Sequence, residues 1–260
     1  MKREIIVPNM QNLPEKFIER LKKIIPDDGK PKSIHEKLKI KDHRVNNNLF
    51  YDNYQRYSFM DHCFAPSIAF EDFRKCSHQE LGDFLTSPYE YSIDNGIYLQ
   101  RSGIITDGKK KYPVHLKKNF SIKDASLLAQ YTLTNHSHDE LNHLLGIELN
   151  LSMLAKDAPD RYIKFNKEIT LPKECIIEET SSFSLINEWD KFELTCRVLD
   201  SQNKELTATL WHFPVETVSL SEGGFELTYQ GSSFTWLFPL ILDRDESLSL
   251  NIVLTCIKLQ

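Results

Sequence analysis

The segment Gly146-Ile147-Glu148-Leu149-Asn150 alternates with period two, so the Glu148 carboxylate and the Asn150 amide share one strand face while Ile147 and Leu149 take the other. Gly146 leaves open space beside them, which suits a polyol approaching the sheet. An ordinary solvent-facing polar row is the plainer reading of the same pattern. A second alternation runs through Gly224-Phe225-Glu226-Leu227-Thr228-Tyr229-Gln230, aligning Glu226, Thr228 and Gln230 opposite Phe225, Leu227 and Tyr229. Just upstream lie Trp211, His212, Phe213, Pro214 and Glu216. Rings beside carboxylates and amides are sugar-binding chemistry, because a ring covers the apolar C–H face of a sugar while Glu and Gln hydrogen-bond its hydroxyls. Phe213 and Phe225 read as core, and Trp211 fits either role. The candidate carbohydrate-binding residues are therefore Glu148, Asn150, Trp211, Glu226 and Gln230.

Acid–base chemistry has fewer candidates. Tyr54-Gln55-Arg56-Tyr57-Ser58-Phe59-Met60-Asp61-His62 invites a reading of His62 as a base oriented by Asp61. Adjacent residues point apart on a strand, however, and an Asp61–Arg56 ion pair is the simpler expectation. Sugar-ring chemistry would pair His62 or His212 with Glu148 or Glu226. His136, His138, Asp139, Glu140 and His143 hold zinc-type ligands, but Asn135, Ser137 and Asp139 mark a hydrophilic hairpin tip, so neither metal nor cofactor is expected. No Gly-x-Ser-x-Gly, phosphate-binding glycine loop or dinucleotide fingerprint occurs.

The elements that must position these residues are strands. From Tyr89 onward, β-branched, aromatic and Leu-rich segments are separated by turn signals such as Asn95-Gly96 and Asp107-Gly108. Expected strands are 89–93, 96–105, 112–122, 126–134, 142–153, 182–186, 192–198, 206–213, 224–230 and 248–257. So many strands with so few helices predict an all-β, antiparallel two-sheet sandwich. Residues 46–260 form that domain in this reading. Residues 1–45 form an N-terminal arm, in which Leu13, Phe17, Leu21 and Ile24 recur at helical spacing before the stop at Pro26 to Pro31. A second short helix is expected within 72–84.

Composition narrows the partners. Lys and Arg total 32 against 37 Asp and Glu, a net charge of −5, which argues against nucleic acid as the main partner. No apolar run of membrane-spanning length and no signal-like h-region occur, so neither a membrane partner nor export is expected, and the cytoplasm is the expected location. Five scattered cysteines without CxxC spacing read as buried thiols rather than a disulfide framework.

The same segments resemble the C-terminal domain of the alpha-amylases and 4-alpha-glucanotransferases of glycoside hydrolase family 57. The resemblance is carried by Tyr51-Asp52-x-Tyr54-x-Arg56-x-Ser58-Phe59-x-Asp61-His62, Tyr131-x-Leu133-x-Asn135, Gly146-Ile147-Glu148-x-Asn150, Trp211-x-Phe213-Pro214-x-Glu216-Thr217-Val218-Ser219 and Ser221-Glu222-Gly223-Gly224-Phe225-Glu226-x-x-Tyr229-Gln230-Gly231. These blocks cover most of 46–260 in the expected order. The resemblance implies a large sandwich of the galactose mutarotase-like type, which in that family follows a catalytic (β/α) barrel. That barrel, with its nucleophile and acid/base carboxylates, has no counterpart here, since some 45 preceding residues cannot hold one of about 200. The implied role is a non-catalytic, carbohydrate-associated module that binds α-glucan or an oligosaccharide, or docks on a separate catalytic barrel subunit, and is not an enzyme on its own. The competing role is an aldose-epimerase-like enzyme using a His/Glu pair. Met1 fits a natural start.

Overall fold

The computed structural model describes residues 43–156, 158–165, 168–170, 173–221 and 224–260. The amphipathic arm expected over 13–25 lies outside the described residues. After a 3-10 turn, His43–Asn48, come β1 (Met60–Phe64), α1 (Phe70–Arg74), β2 (Glu90–Asp94), β3 (Gly96–Asp107), β4 (Lys110–Lys123), β5 (Ser126–Asn135) and β6 (Leu141–Leu151). There follow β7 (Arg161–Phe165), β8 (Glu168–Thr170), β9 (Cys175–Thr180), β10 (Ser182–Asn187), β11 (Phe192–Asp200), β12 (Ala208–Ser221), β13 (Gly224–Leu242) and β14 (Ser247–Lys258).

The strands form two sheets, one ordered β1-β6-β13-β12-β9 and the other β2-β3-β4-β5-β14-β11-β10-β7-β8. Every named pairing is antiparallel. The expected all-β sandwich is what the chain forms. Its main core includes Leu116, Leu133, Ile147, Leu149, Ile163, Val198, Leu210, Phe234, Trp236 and Ile252, drawn from both sheets. On β6, Ile147 and Leu149 belong to this core, so Gly146, Glu148 and Asn150 stand on the opposite face of the smaller sheet.

That opposite face is also covered. Phe64, Phe73, Trp211, Phe213, Val215 and Leu237 form a second buried cluster, with Ile68, Phe70 and Leu144 packed on it. The chain from Asp52 to α1 thus acts as a roof over the smaller sheet. The helix in the roof is earlier and shorter than expected, because Cys76 adopts a left-handed backbone, φ 57°, just past its end. The chain beyond it makes an isolated bridge, Gly82 to Ile105, in place of a helix.

Two prolines sit inside long strands. Pro214 pairs with Ser232 on β13, but the β9 pairing has ended at His212, so its other side carries no ladder. Pro239 pairs with Leu144 on β6, beyond the last β12 partner of β13, Leu237. Each proline therefore sits where one side of its strand has no neighbour needing an N–H. That is why β13 runs on to Leu242 rather than stopping at Gln230. Among the described residues, no helix is long and apolar enough to cross a membrane.

Candidate functional site

Glu148 is the centre of a buried polar network between the smaller sheet and its roof. Its Oε1 accepts from the Arg56 guanidinium and from Ser233 Oγ at 2.8 Å, while its Oε2 accepts from Tyr54 Oη at 2.9 Å and faces His62 Nε2 at 3.2 Å. Arg56 also donates to Asp52 Oδ1 and to Tyr54 Oη, each at 2.9 Å. The other ring nitrogen of His62 meets Glu80 Oε2 at 2.8 Å, and Glu80 Oε1 accepts from the backbone N–H groups of Cys63 and Gly82 at 2.7 and 3.2 Å. Strand register makes this convergence possible: Met60 pairs with Glu148 and His62 with Gly146, and Ser233 pairs with Asn150 across the β6–β13 ladder.

The electrostatics follow from burial opposed by partners. Desolvation alone would raise the Glu148 carboxyl, but the Arg56 charge and the hydrogen bonds from His62 and Ser233 hold it far below the usual carboxylate range. Burial would lower His62, yet its hydrogen bonds to Glu148 and Glu80 raise it to about 9. His212 is the opposite case. Burial lowers it to about 4, with only a bond between Nδ1 and the Ser233 carbonyl, 3.0 Å, to offset this.

The structure places the five residues singled out from the sequence in different settings. Glu148 is fully buried with all its neighbours engaged. Asn150 stitches the roof to β6, its Nδ2 donating to the Tyr57 carbonyl at 2.9 Å and its N–H to Ser58 Oγ at 3.0 Å. Trp211 is buried in the second cluster, ring to ring with Phe70 and Phe73 at 5.6 and 5.7 Å, so of its two readings the core one describes its surroundings. Glu226 and Gln230 are half-buried on β13, where Gln230 Nε2 donates to Thr217 Oγ1 at 3.3 Å. Seven residues of strand separate Glu226 from Ser233, roughly 23 Å, so it does not share the Glu148 site. The five do not line one groove.

Two further expectations are corrected. The space beside Gly146 is occupied: a Cβ there would lie 2.6 Å from Phe64 Cε2 and 3.1 Å from His62 Cβ. Asp61 pairs with Lys118 Nζ at 2.5 Å and accepts from Tyr89 Oη at 2.6 Å, not with Arg56, because β1 sends it toward the larger sheet and His62 toward the roof. The hairpin histidines are separately engaged, His136 with Asp245, His138 with Arg244 and His143 with Asp107. Among the described residues, the metal-type donors that do approach one another, within 4.8 Å, are His62, His78 and Glu80, none of which the metal-ligand reading of the sequence had named.

The larger sheet holds a second site that sequence reasoning missed. On the outer face of β2 to β5 is an open cavity of about 600 Å³ lined by Glu90, Tyr91, Ser92, Tyr98, Leu99, Gln100, Lys117, Lys118, Asn119, Gln130 and Thr132. Hairpin register supplies the order, Glu90–Gln100–Lys117–Thr132 in one cross-strand row and Ser92–Tyr98–Asn119–Gln130 in the next.

The sequence profile described as "Alpha-amylase/4-alpha-glucanotransferase, C-terminal" matches residues 16–252. The chain belongs to this family. It is 33% identical over 230 residues to alpha-amylase 1 of Dictyoglomus thermophilum, covering 84% of this chain and 31% of that protein. It is 30% identical over 212 residues to the 4-alpha-glucanotransferase of Thermococcus kodakarensis, covering 80% and 28%. The crystal structure of the 4-alpha-glucanotransferase of Thermococcus litoralis superposes with a TM-score of 0.67 at 25% identity, over 82% of this chain and 29% of that one. The chain thus spans under a third of the curated relatives it matches. A structure of a putative aldose 1-epimerase from Escherichia coli superposes at TM-score 0.50 and 11% identity, over 79% of this chain and 81% of that one, which shows the mutarotase-like fold and nothing more.

Two outcomes follow for this family member. Gly146→Ala is expected to destabilise by about 1–3 kcal/mol through the clash with Phe64, read as a lower urea midpoint. His62 is charged in the fold up to about pH 9 but only to about 6.5 when unfolded, so its contribution is complete below pH 6.5 and fades as pH rises toward 9. Stability profiles should show a decline there of at most about 3 kcal/mol that His62→Gln lacks. Wild type and variant declining in parallel would contradict this.

Proposed function

We propose that this chain is a non-catalytic, carbohydrate-associated module, which docks on the catalytic barrel of an amylase or glucanotransferase and presents α-glucan to it. The observation that carries the reading is the enclosure of both candidate histidines, His62 and His212, and of Glu148 by the fold. Epimerisation needs an acid and a base within about 3 Å of their protons on the sugar. Here Glu148, His62 and His212 are all fully buried, and Glu148 and His62 are spent on each other and on Arg56, Tyr54, Ser233 and Glu80. These groups hold the roof. The relatives named as alpha-amylase and 4-alpha-glucanotransferase are more than three times as long as the matched region, which leaves room in them for a barrel beside it.

In this reading residues 46–260 are the working sandwich and 1–45 an appended arm. Cys63, Cys175, Cys196 and Cys256 are free thiols, in keeping with a reducing compartment such as the cytoplasm.

The purified chain is expected to leave the mutarotation of freshly dissolved glucose at its spontaneous rate by polarimetry, and to release no sugar from maltoheptaose. Acceleration of mutarotation that Glu148→Gln abolishes would return the epimerase reading. Docking is tested by recovering the chain from its native source and weighing its complexes: co-elution with a barrel subunit that cleaves or transfers α-glucan is expected, and elution without one would remove the docking role.

A further inference from the structure

We infer that the cavity on the outer face of β2 to β5 is an oligosaccharide subsite, which seats a run of α-linked glucose units across the strands. The inference rests on the carbohydrate-associated reading above and says where that carbohydrate binds.

The argument begins with geometry. The two rows cross four strands spaced about 4.8 Å apart, so each runs roughly 14 Å along the sheet, a length that matches several linked rings better than one. A volume of about 600 Å³ falls within the range of small-ligand sites. Among the described residues the face is left open, since the smaller sheet packs on the other side of these strands, where Leu116, Ala129, Tyr131 and Leu133 enter the core.

The lining chemistry is selective. Its rings are Tyr91 and Tyr98, 73% and 43% exposed, and Tyr98 stands within the row between Ser92 and Asn119, able to cover a sugar C–H face. Around it stand amides and hydroxyls from Gln100, Asn119, Gln130, Thr132 and Ser92, which can both donate to and accept from sugar hydroxyls. Several are already set in place. Gln100 Nε2 donates to Glu90 Oε2 at 2.9 Å, Asn119 Nδ2 to Gln130 Oε1 at 3.1 Å, and Thr132 Oγ1 meets Ser249 Oγ at 3.2 Å. Such bonds fix side chains before a ligand arrives and reduce the ordering cost of binding.

Charge points the same way. The cavity's side chains bring one carboxylate, Glu90, and one outward ammonium, Lys117, while Lys118 turns inward to Asp61. A lining with balanced charge suits a neutral polyol and offers no cationic cluster for a phosphate or a nucleic-acid backbone. The subsite also stands apart from the Glu148 network, which is enclosed under the roof on the smaller sheet.

Calorimetric titration of the full chain with maltoheptaose tests the assignment, with cellohexaose as the linkage control. Tyr98→Ala and Gln130→Ala should each weaken maltoheptaose binding by about tenfold or more, the size expected for losing a ring contact or a hydrogen bond to a ligand. Tyr57→Ala removes an exposed ring from the roof and should leave binding unchanged. Glu226→Ala and Gln230→Ala should also leave it unchanged. All five variants should keep the wild-type circular dichroism and thermal midpoint, and a groove variant that unfolds is replaced by Gln100→Ala. If maltoheptaose binds but only Glu226→Ala or Gln230→Ala weakens it, the subsite is overturned while the carbohydrate-associated reading stands. Equal affinity for cellohexaose overturns the α-glucan assignment. Absence of binding to either sugar overturns the subsite and the glucan-presenting half of the proposed function together, leaving docking to be judged by the native complexes.

Discussion

The fold depends on a carboxylate that cannot be left alone. Glu148 stands on the face of β6 turned away from the main core, and ionised there it would be severely destabilising unless every oxygen were met. The roof meets it. Arg56 and Tyr54 come from a stretch with no regular structure, His62 from β1 and Ser233 from β13, so one side chain joins three elements distant in sequence. Arg56 is in turn matched by Asp52, and its guanidinium lies over the rings of Tyr54 and Phe213 at 5.0 and 5.2 Å. Buried ion pairs of this kind contribute little net stability against an apolar replacement. Their removal by halves is what costs about 3–5 kcal/mol. Their value here is geometric, since they tie the roof to β6 and β13 at fixed points.

The network also governs what the smaller sheet can do. A polar row on an exposed strand would be available to ligand, but this row is sealed beneath Phe64, Phe73, Trp211 and Phe213, and its groups neutralise one another. Glu148 and His62, the carboxylate and imidazole that this sheet brings together, are therefore engaged with each other and with the roof. The larger sheet is under no such constraint. Among the described residues nothing roofs its β2–β5 end, and alternate side chains of those strands remain at the surface in register.

How much of this was legible follows from what each signal measures. Alternation at Gly146 to Asn150 assigned the faces of β6 correctly, because period two is a local property. It could not say that the polar face is covered, since the cover comes from 50–80, where a five-residue strand and a five-residue helix give too short a run for periodicity to register. The strands β7, β8 and β9, of five, three and six residues, were missed for the same reason. The strand expected over 224–230 falls short of β13 for a different reason: no local signal shows that the β12 ladder has already ended where β13 carries Pro239.

The cavity on the larger sheet was within reach of the sequence, and the reason lies in its turns. The hairpin between β3 and β4 pairs Asp107 with Lys110 around Gly108, whose φ of 58° is the left-handed conformation a two-residue turn requires. Between β4 and β5, Lys123 pairs with Ser126 around Asp124, also left-handed at φ 53°. Two tight turns fix the register of three strands, and counting back from them places Gln100 opposite Lys117 and Lys117 opposite Thr132, then Tyr98 opposite Asn119 and Asn119 opposite Gln130. A search for sugar chemistry along single strands finds carboxylates and rings that the fold has buried. A search across hairpins, where tight turns make distant residues neighbours, finds the amides, hydroxyls and tyrosine that it has left in the open.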